Sequence, residues 1–267
     1  MLPMLANLSH ELCFSQHLVG ATGFNRVNNS LKWAWLTNEM GVRHSVDTLE
    51  ARFLSIHSQI AAAATAAGRS PDAVRLIAVS KFQPASAIAA LAALGQRDFA
   101  ENYVQEALSK QAMLAGHPLF EQIIWHFTGP IQSNKTRAIA THFSWVHSVD
   151  RPKIAERLSA QRPDSLPALK LFIEVNLDAE PTKAGVTLAQ LPEMVLLCQR
   201  LPRIELVGLM AIPARASTDA FVRLAEINAN LPSPLPMLSM GMSVDFPAAI
   251  AAGSTHVRIG TALFGAR

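Results

Sequence analysis

The sequence predicts a single α/β domain, a closed (β/α)8 barrel of the TIM type, on three observations. Eight short runs rich in β-branched and apolar residues alternate with longer stretches whose apolar residues recur at helical spacing. Strict alternation produces a parallel sheet, and eight units are the number that closes such a sheet on itself. The chain has 267 residues, half of them apolar and 16% charged, which suits the roughly 250 residues of one barrel. A doubly wound open sheet is the alternative. It is disfavoured because no Gly-x-Gly-x-x-Gly turn opens a helix after any of the strand-like runs.

An amphipathic helix over 46–67 comes first, with Leu49, Phe53, Ile56 and Ile60 on one face and Gly68 as its stop. Strands are expected at 75–80, 98–101, 123–128, 145–148, 170–176, 205–211, 237–240 and 256–259, each closed by polar or glycine residues. Helices are expected between them at 84–94, 103–114, 133–142, 152–161, 188–200, 218–230 and 243–252. Residues 1–43 lack periodicity and are read as a poorly ordered N-terminal extension, leaving 44–267 for the barrel. Met40 stands just before the helical pattern and is a candidate translation start.

The formal charge of +3 and the lack of any run of five like charges speak against nucleic acid as a partner. Cys13 and Cys198 are far apart and follow no metal-ligand spacing, so neither a disulfide framework nor a metal site is expected. No stretch reaches 18 uninterrupted apolar residues and no secretory signal is readable, so no membrane association is expected either. A cytoplasmic monomer fits these observations.

Barrels of this type carry function on the loops at the carboxyl ends of their strands. There the chain places Ser80 and Lys81, Glu101 and Asn102, His126 to Gly129, Asn176, Met210 and Ala211, Ser239 to Ser243, and Arg258, Gly260 and Thr261. A lysine at a strand end can be desolvated, which lowers its pKa and frees the amine to attack an aldehyde; on spacing alone, a solvated charge at the strand end is the plainer reading of Lys81. Ser243 is expected to cap a helix whose first turn holds Asp245, and such helix starts attract phosphate. With Gly260 and Thr261 it falls in the loops after the seventh and eighth strands, the common phosphate site of these barrels. Arg258 lies on the strand that must pair with the first when the barrel shuts, beside Lys81. Its guanidinium would donate to an unprotonated pyridine nitrogen and keep the ring a poor electron sink. Pairing with a carboxylate such as Glu174 or Asp245 is the plainer use of the same arginine. Lys135 and Lys183 read as loop charges.

These residues sit within segments that resemble a known family. Ala78 to Lys81, Glu101 to Glu106, Trp125 to Pro130 continuing through Lys135, Gly208 to Ala211, Leu238 to Ser243 with Asp245, and the stretch from Ala248 onward are similar to the pyridoxal phosphate homeostasis proteins. The barrel of that family resembles the N-terminal domain of alanine racemase. The resemblance implies pyridoxal 5'-phosphate held as a Schiff base on Lys81, with Arg258 at the pyridine nitrogen and Ser243, Gly260 and Thr261 at the phosphate. Asn102, His126, Asn176 and Met210 match positions lining the same pocket. Ala100 departs from the family's usual glycine and Phe82 from a smaller polar residue.

The family is regarded as buffering and delivering the cofactor, with pyridoxal-dependent apoenzymes as recipients and no established turnover, so no catalytic residue is assigned. A racemase needs a second base, and the single tyrosine, Tyr103, reads as a packing residue with a satisfied hydroxyl. A pyridoxal-dependent racemase or decarboxylase is the alternative. A Schiff-base aldolase acting on a phosphosugar is more distant.

Overall fold

The computed structural model describes residues 48–178, 180, 183–213 and 219–265. Residues 1–43 with Met40, and the ends of predicted helices at 46, 47 and 218, lie outside them. Within the described residues, helix α1 (Leu49–Ala66) leads in, and its N-terminus is capped by Thr48, whose Oγ1 accepts from the Ala51 amide at 3.1 Å. Phe53, Ile56, Ile60 and Ala64 form its buried stripe, and Gly68 ends it at a φ of +67°.

The eight strands are β1 (Arg75–Val79), β2 (Asp98–Glu101), β3 (Ile124–Phe127), β4 (Trp145–Val149), β5 (Leu169–Glu174), β6 (Ile204–Met210), β7 (Met237–Ser239) and β8 (His256–Ile259). All neighbours pair parallel in chain order, and β8 closes back on β1. The barrel helices are α2 (Ala85–Ala93), α3 (Val104–Leu114), α5 (Thr136–His142), α6 (Pro152–Gln161), α7 (Leu191–Arg200), α8 (Ala220–Ala229) and α9 (Phe246–Ala251). Two short helices that the periodicity did not predict, α4 (Pro118–Glu121) and α10 (Thr261–Phe264), fit into connections.

Alternation along each strand divides its residues between two environments. Val146, Leu171, Ile173 and Leu209 point outward beneath α3 and α5 to α8, while Leu76, Ala78, Phe99 and Val257 point outward beneath α1, α2, α9 and α10. Inward, Trp145, Phe172, Val207 and Met210 form the apolar part of the lumen. The rest of the lumen is polar: His126, His147, Ser239, His256 and Arg258 are all buried. Helix α1 seals the seam, since it lies against α9 and α10 and Arg52 Nε donates to the Leu263 carbonyl at 2.9 Å.

Three helix starts fall three residues after expectation, and at α5, predicted from 133, a 3-10 turn over Ser133–Lys135 comes first. Predicted to begin at 188, α7 is preceded by a capping box in which Thr187 Oγ1 accepts from the Gln190 amide and Gln190 Oε1 accepts from the Thr187 amide, so regular helix begins at Leu191. Ser243 does not cap α9. That helix begins at Phe246, and Asp245 takes the cap position with Pro247 in the first turn.

Close approach requires glycine at Gly208, where a Cβ would lie 2.0 Å from the Met237 carbonyl oxygen and 2.8 Å from the Phe172 ring. Changing Gly208→Ala is expected to cost about 2–3 kcal/mol, as overpacking of a close-packed interior does. Thermal unfolding should show a melting temperature lowered by several degrees; an unchanged value would contradict this account of the β6–β7 contact.

Candidate functional site at the carboxyl end of the barrel

The register of β1 against β8 sets the site: Ile77 pairs with Arg258 and Ala78 with Ile259, so the loop after β1 and the loop after β8 emerge side by side. Lys81 begins the first of these loops and Gly260 the second. A Cβ at Gly260 would come within 3.3 Å of the Val79 carbonyl oxygen, so glycine lets the two loops lie close together.

Both peptide groups flanking Lys81 are gripped from α3. Lys110 Nζ donates to the Ser80 carbonyl at 2.7 Å, and Glu106 accepts from the Phe82 amide. Lys110 also bridges Glu101 Oε1 at 2.7 Å and Glu106 Oε1 at 2.6 Å, and Ser80 Oγ donates to Glu101 Oε1 at 2.7 Å. Glu101 and Lys110 are buried; burial pushes the Glu101 carboxyl up, with Lys110 and Ser80 pulling against it. This clamp holds Phe82 at a φ of +64°, a left-handed conformation that non-glycine residues seldom take. The Phe82 ring lies 5.1 Å from that of Tyr103, so the tyrosine is a half-exposed stacking partner and not an interior packing residue.

Arg258 is 5% exposed. Its Nη1 donates to the Ser239 carbonyl at 2.6 Å and to Ser239 Oγ at 2.7 Å, and its Nη2 donates to the Ala211 carbonyl at 3.1 Å. Those three bonds leave two of the five N–H groups of a guanidinium unused. Among the described residues, no carboxylate reaches ion-pair distance. Glu174 and Asp245 act on it only through space, and burial brings its pKa down to about 10, which keeps it protonated at neutral pH. The expected ion pair with either carboxylate is therefore not made.

Glu174, at the end of β5, entered the sequence reading only as a possible ion-pair partner of Arg258. It follows Phe172 on the inward face and is buried. Burial and the neighbouring charge of Asp150 push its pKa up to about 7, against the pull of Arg258.

The loops after β7 and β8 meet where Ser243 Oγ accepts from the Ala262 amide at 3.2 Å. Gly241, at a φ of +89°, has Ala249 Cβ 2.5 Å from where its own Cβ would be, so the turn into α9 requires glycine. Asn102 Oδ1 accepts from Thr128 Oγ1 at 2.9 Å, which ties the β2 and β3 loops together. Asn176 folds the β5 loop by donating to the Glu180 carbonyl and accepting from the Glu180 amide. Met210 is buried among the lumen side chains. His126 lies deeper, with Nε2 on Asp98 and Nδ1 on His147, each at 2.9 Å, so neither nitrogen is left to meet a ligand directly. Lys183 pairs with Glu180 at 2.9 Å.

Together these features suit pyridoxal phosphate. An amine sits on a clamped loop, an unpaired buried guanidinium lies on the adjoining strand, and two glycine-bearing loops close beside a hydroxyl.

Comparison with known proteins agrees. The family described as "Alanine racemase, N-terminal domain" matches residues 55–267. The pyridoxal phosphate homeostasis protein of Pseudomonas aeruginosa is 52% identical over 227 residues, covering 83% of this chain and 97% of its own. This chain belongs to the pyridoxal phosphate homeostasis protein family. The Escherichia coli K12 relative of the same name is 48% identical over 227 residues, covering 79% of this chain and 94% of its own. Among solved structures, PipY of Synechococcus elongatus with PLP bound superposes with a TM-score of 0.70 at 38% identity, covering 82% of this chain and all of that one. The family's barrel is thus the one observed here. Among the described residues, no helix is long and apolar enough to cross a membrane.

Because the folded-state pKa of Glu174 is raised, its contribution to stability is fully present below the unfolded value of 4.5 and is lost as the pH rises through about 7. Glu174→Gln should therefore gain in melting temperature relative to the wild type as ligand-free samples are taken from pH 4.5 to 7.5. A difference independent of pH would show that this carboxyl does not titrate in that window.

Proposed function

We propose that this protein binds pyridoxal 5'-phosphate at the carboxyl mouth of the barrel, buffers it in the cytoplasm, and passes it as a monomer to apoenzymes that depend on it. The observation that carries the reading is the buried Arg258, which has no carboxylate partner among the described residues and two N–H groups to spare. A buried cation in that state requires an acceptor. The names of the relatives and the PLP-bound PipY structure support the choice of ligand.

When bound, pyridoxal phosphate supplies an aldehyde that condenses reversibly with a primary amine. Lys81 offers that amine from a loop whose flanking peptide groups are fixed by Lys110 and Glu106. Ser243, Gly260 and Thr261 hold the phosphate, and Asn102, Asn176 and Met210 shape the surrounding wall. His126 contributes from below through its hydrogen bonds. Arg258 donates to the ring nitrogen and leaves it unprotonated, which weakens the ring as an electron sink. That setting suits holding the molecule better than breaking bonds to a substrate carbon.

Purified protein incubated with pyridoxal phosphate should turn yellow. Borohydride treatment should bleach the colour and leave the label on the peptide containing Lys81, while Lys81→Ala takes up no label there. Label confined to other lysines, or a colourless protein, would overturn the reading. Turnover of amino acids by the loaded protein would replace the carrier with an enzyme.

A further inference from the structure

The lumen contains an unbroken line of hydrogen-bonded side chains running from Arg258 on β8 through β7, β4 and β3 to Asp98 at the start of β2. Arg258 Nη1 donates to Ser239 Oγ at 2.7 Å. Ser239 Oγ lies 2.7 Å from His147 Nδ1, His147 Nε2 lies 2.9 Å from His126 Nδ1, and His126 Nε2 lies 2.9 Å from Asp98 Oδ1. Arg75 Nη1 holds the same carboxylate oxygen at 3.1 Å.

The direction of every link follows from its last member. A carboxylate only accepts, so His126 carries its proton on Nε2 and donates it to Asp98. A neutral His126 then accepts at Nδ1, so His147 carries its proton on Nε2 and donates it there. A neutral His147 in turn accepts at Nδ1 from the Ser239 hydroxyl, whose oxygen accepts from Arg258. Each imidazole thus uses one donor and one acceptor.

We propose that Ser239, His147, His126 and Asp98 are positioning residues, a one-way hydrogen-bond chain that orients Arg258 so that one of its remaining N–H groups meets the ring nitrogen of the cofactor. The role rests on the reading of the mouth as a pyridoxal phosphate site; the chain itself is a property of the ligand-free protein.

The surroundings enforce the neutral imidazoles that the chain needs. Burial holds both histidines below their ordinary value. Around His147, the charges of His126, His256 and Arg258 act in the same direction. Around His126, Asp98 opposes and Arg75 assists. A second proton on His126 would set its Nδ1–H against the Nε2–H of His147. His256 stays outside the line, with Nδ1 on Thr255 Oγ1 at 2.9 Å and a pKa brought down to about 3. The lower end reaches solvent in a cleft of about 380 Å³ at the opposite end of the barrel, lined by Asp98, Arg75, His57 and Arg97. The aligned links terminate in a negative charge there, which strengthens Ser239 as an acceptor for Arg258.

Nitrogen NMR of the ligand-free full chain labelled with ¹⁵N-histidine tests the chain. His126 and His147 should both be neutral with the proton on Nε2 at pH 7.5. A proton on Nδ1, or an imidazolium, at either residue would overturn the proposal. Cofactor retention and visible absorption then test the positioning. His147→Phe should release pyridoxal phosphate at least about tenfold more readily and move the absorption maximum, the scale expected for loosening a bond to a charged group. His147→Gln, which keeps one acceptor and one donor, should restore retention to within about threefold on the same scale. Ser239→Ala removes only the hydroxyl and should move the maximum in the same sense as His147→Phe. Unchanged retention and absorption in both His147→Phe and Ser239→Ala would reduce the chain to packing. A wild-type chain with the expected tautomers that takes up no pyridoxal phosphate would sink the functional reading, and the positioning role with it, while leaving the chain in place.

Discussion

A protonated guanidinium kept inside a closed barrel without a carboxylate beside it is the constraint on which the site depends. Removing such a charge from water is costly unless other dipoles replace the solvent. Here two backbone carbonyls and one hydroxyl do so for Arg258, from β6 and β7. Those acceptors can reach it only because β8 pairs with both β7 and β1, and that closure is also what places the Lys81 loop beside it. The same burial lowers the arginine's pKa without bringing it near neutrality, so its charge survives at neutral pH. Glu174 is near enough to favour the cation but is itself pushed toward the neutral form, so it does not neutralise it.

The reactive amine is held by a different device. Glu101, Lys110 and Glu106 form a buried charge cluster whose hydrogen bonds end on the peptide groups either side of Lys81. A buried pair of this kind is a weak source of stability, because desolvation offsets most of its attraction. Its value lies in geometry: it maintains the left-handed Phe82 and so fixes where the chain leaves the strand. One face of the mouth is therefore set by backbone strain held in place by charge, the other by a cation held by dipoles.

The number and order of the strands were legible because parallel strands buried on both faces read as short apolar runs, as in Leu76–Val79 or Leu171–Ile173. The positions of Lys81, Arg258, Gly260 and Thr261 followed from strand ends alone. Contacts across the lumen were not legible, because they depend on the stagger of distant strands and on the bulges between β4, β5 and β6, which no local pattern encodes. That is why His126 read as a pocket residue when both its nitrogens are used beneath the mouth, why His147 passed unnoticed, and why Glu174 read only as a partner for Arg258. Two signals were nonetheless present. His147 stands two residues after Trp145 on an inward-facing parity, and Glu106 stands four before Lys110, the spacing of a helical ion pair. Ser243 was misread as a helix cap because Pro247 and Asp245 were equally good markers of a start three residues later.

The most direct measurement of whether Arg258 meets the cofactor is the nitrogen chemical shift of ¹⁵N-labelled pyridoxal phosphate bound to the protein. An arginine that only donates predicts the shift of an unprotonated, hydrogen-bonded pyridine between pH 6 and 9, moved by Arg258→Gln. A pyridinium shift in that range, or one indifferent to the arginine, would contradict the account.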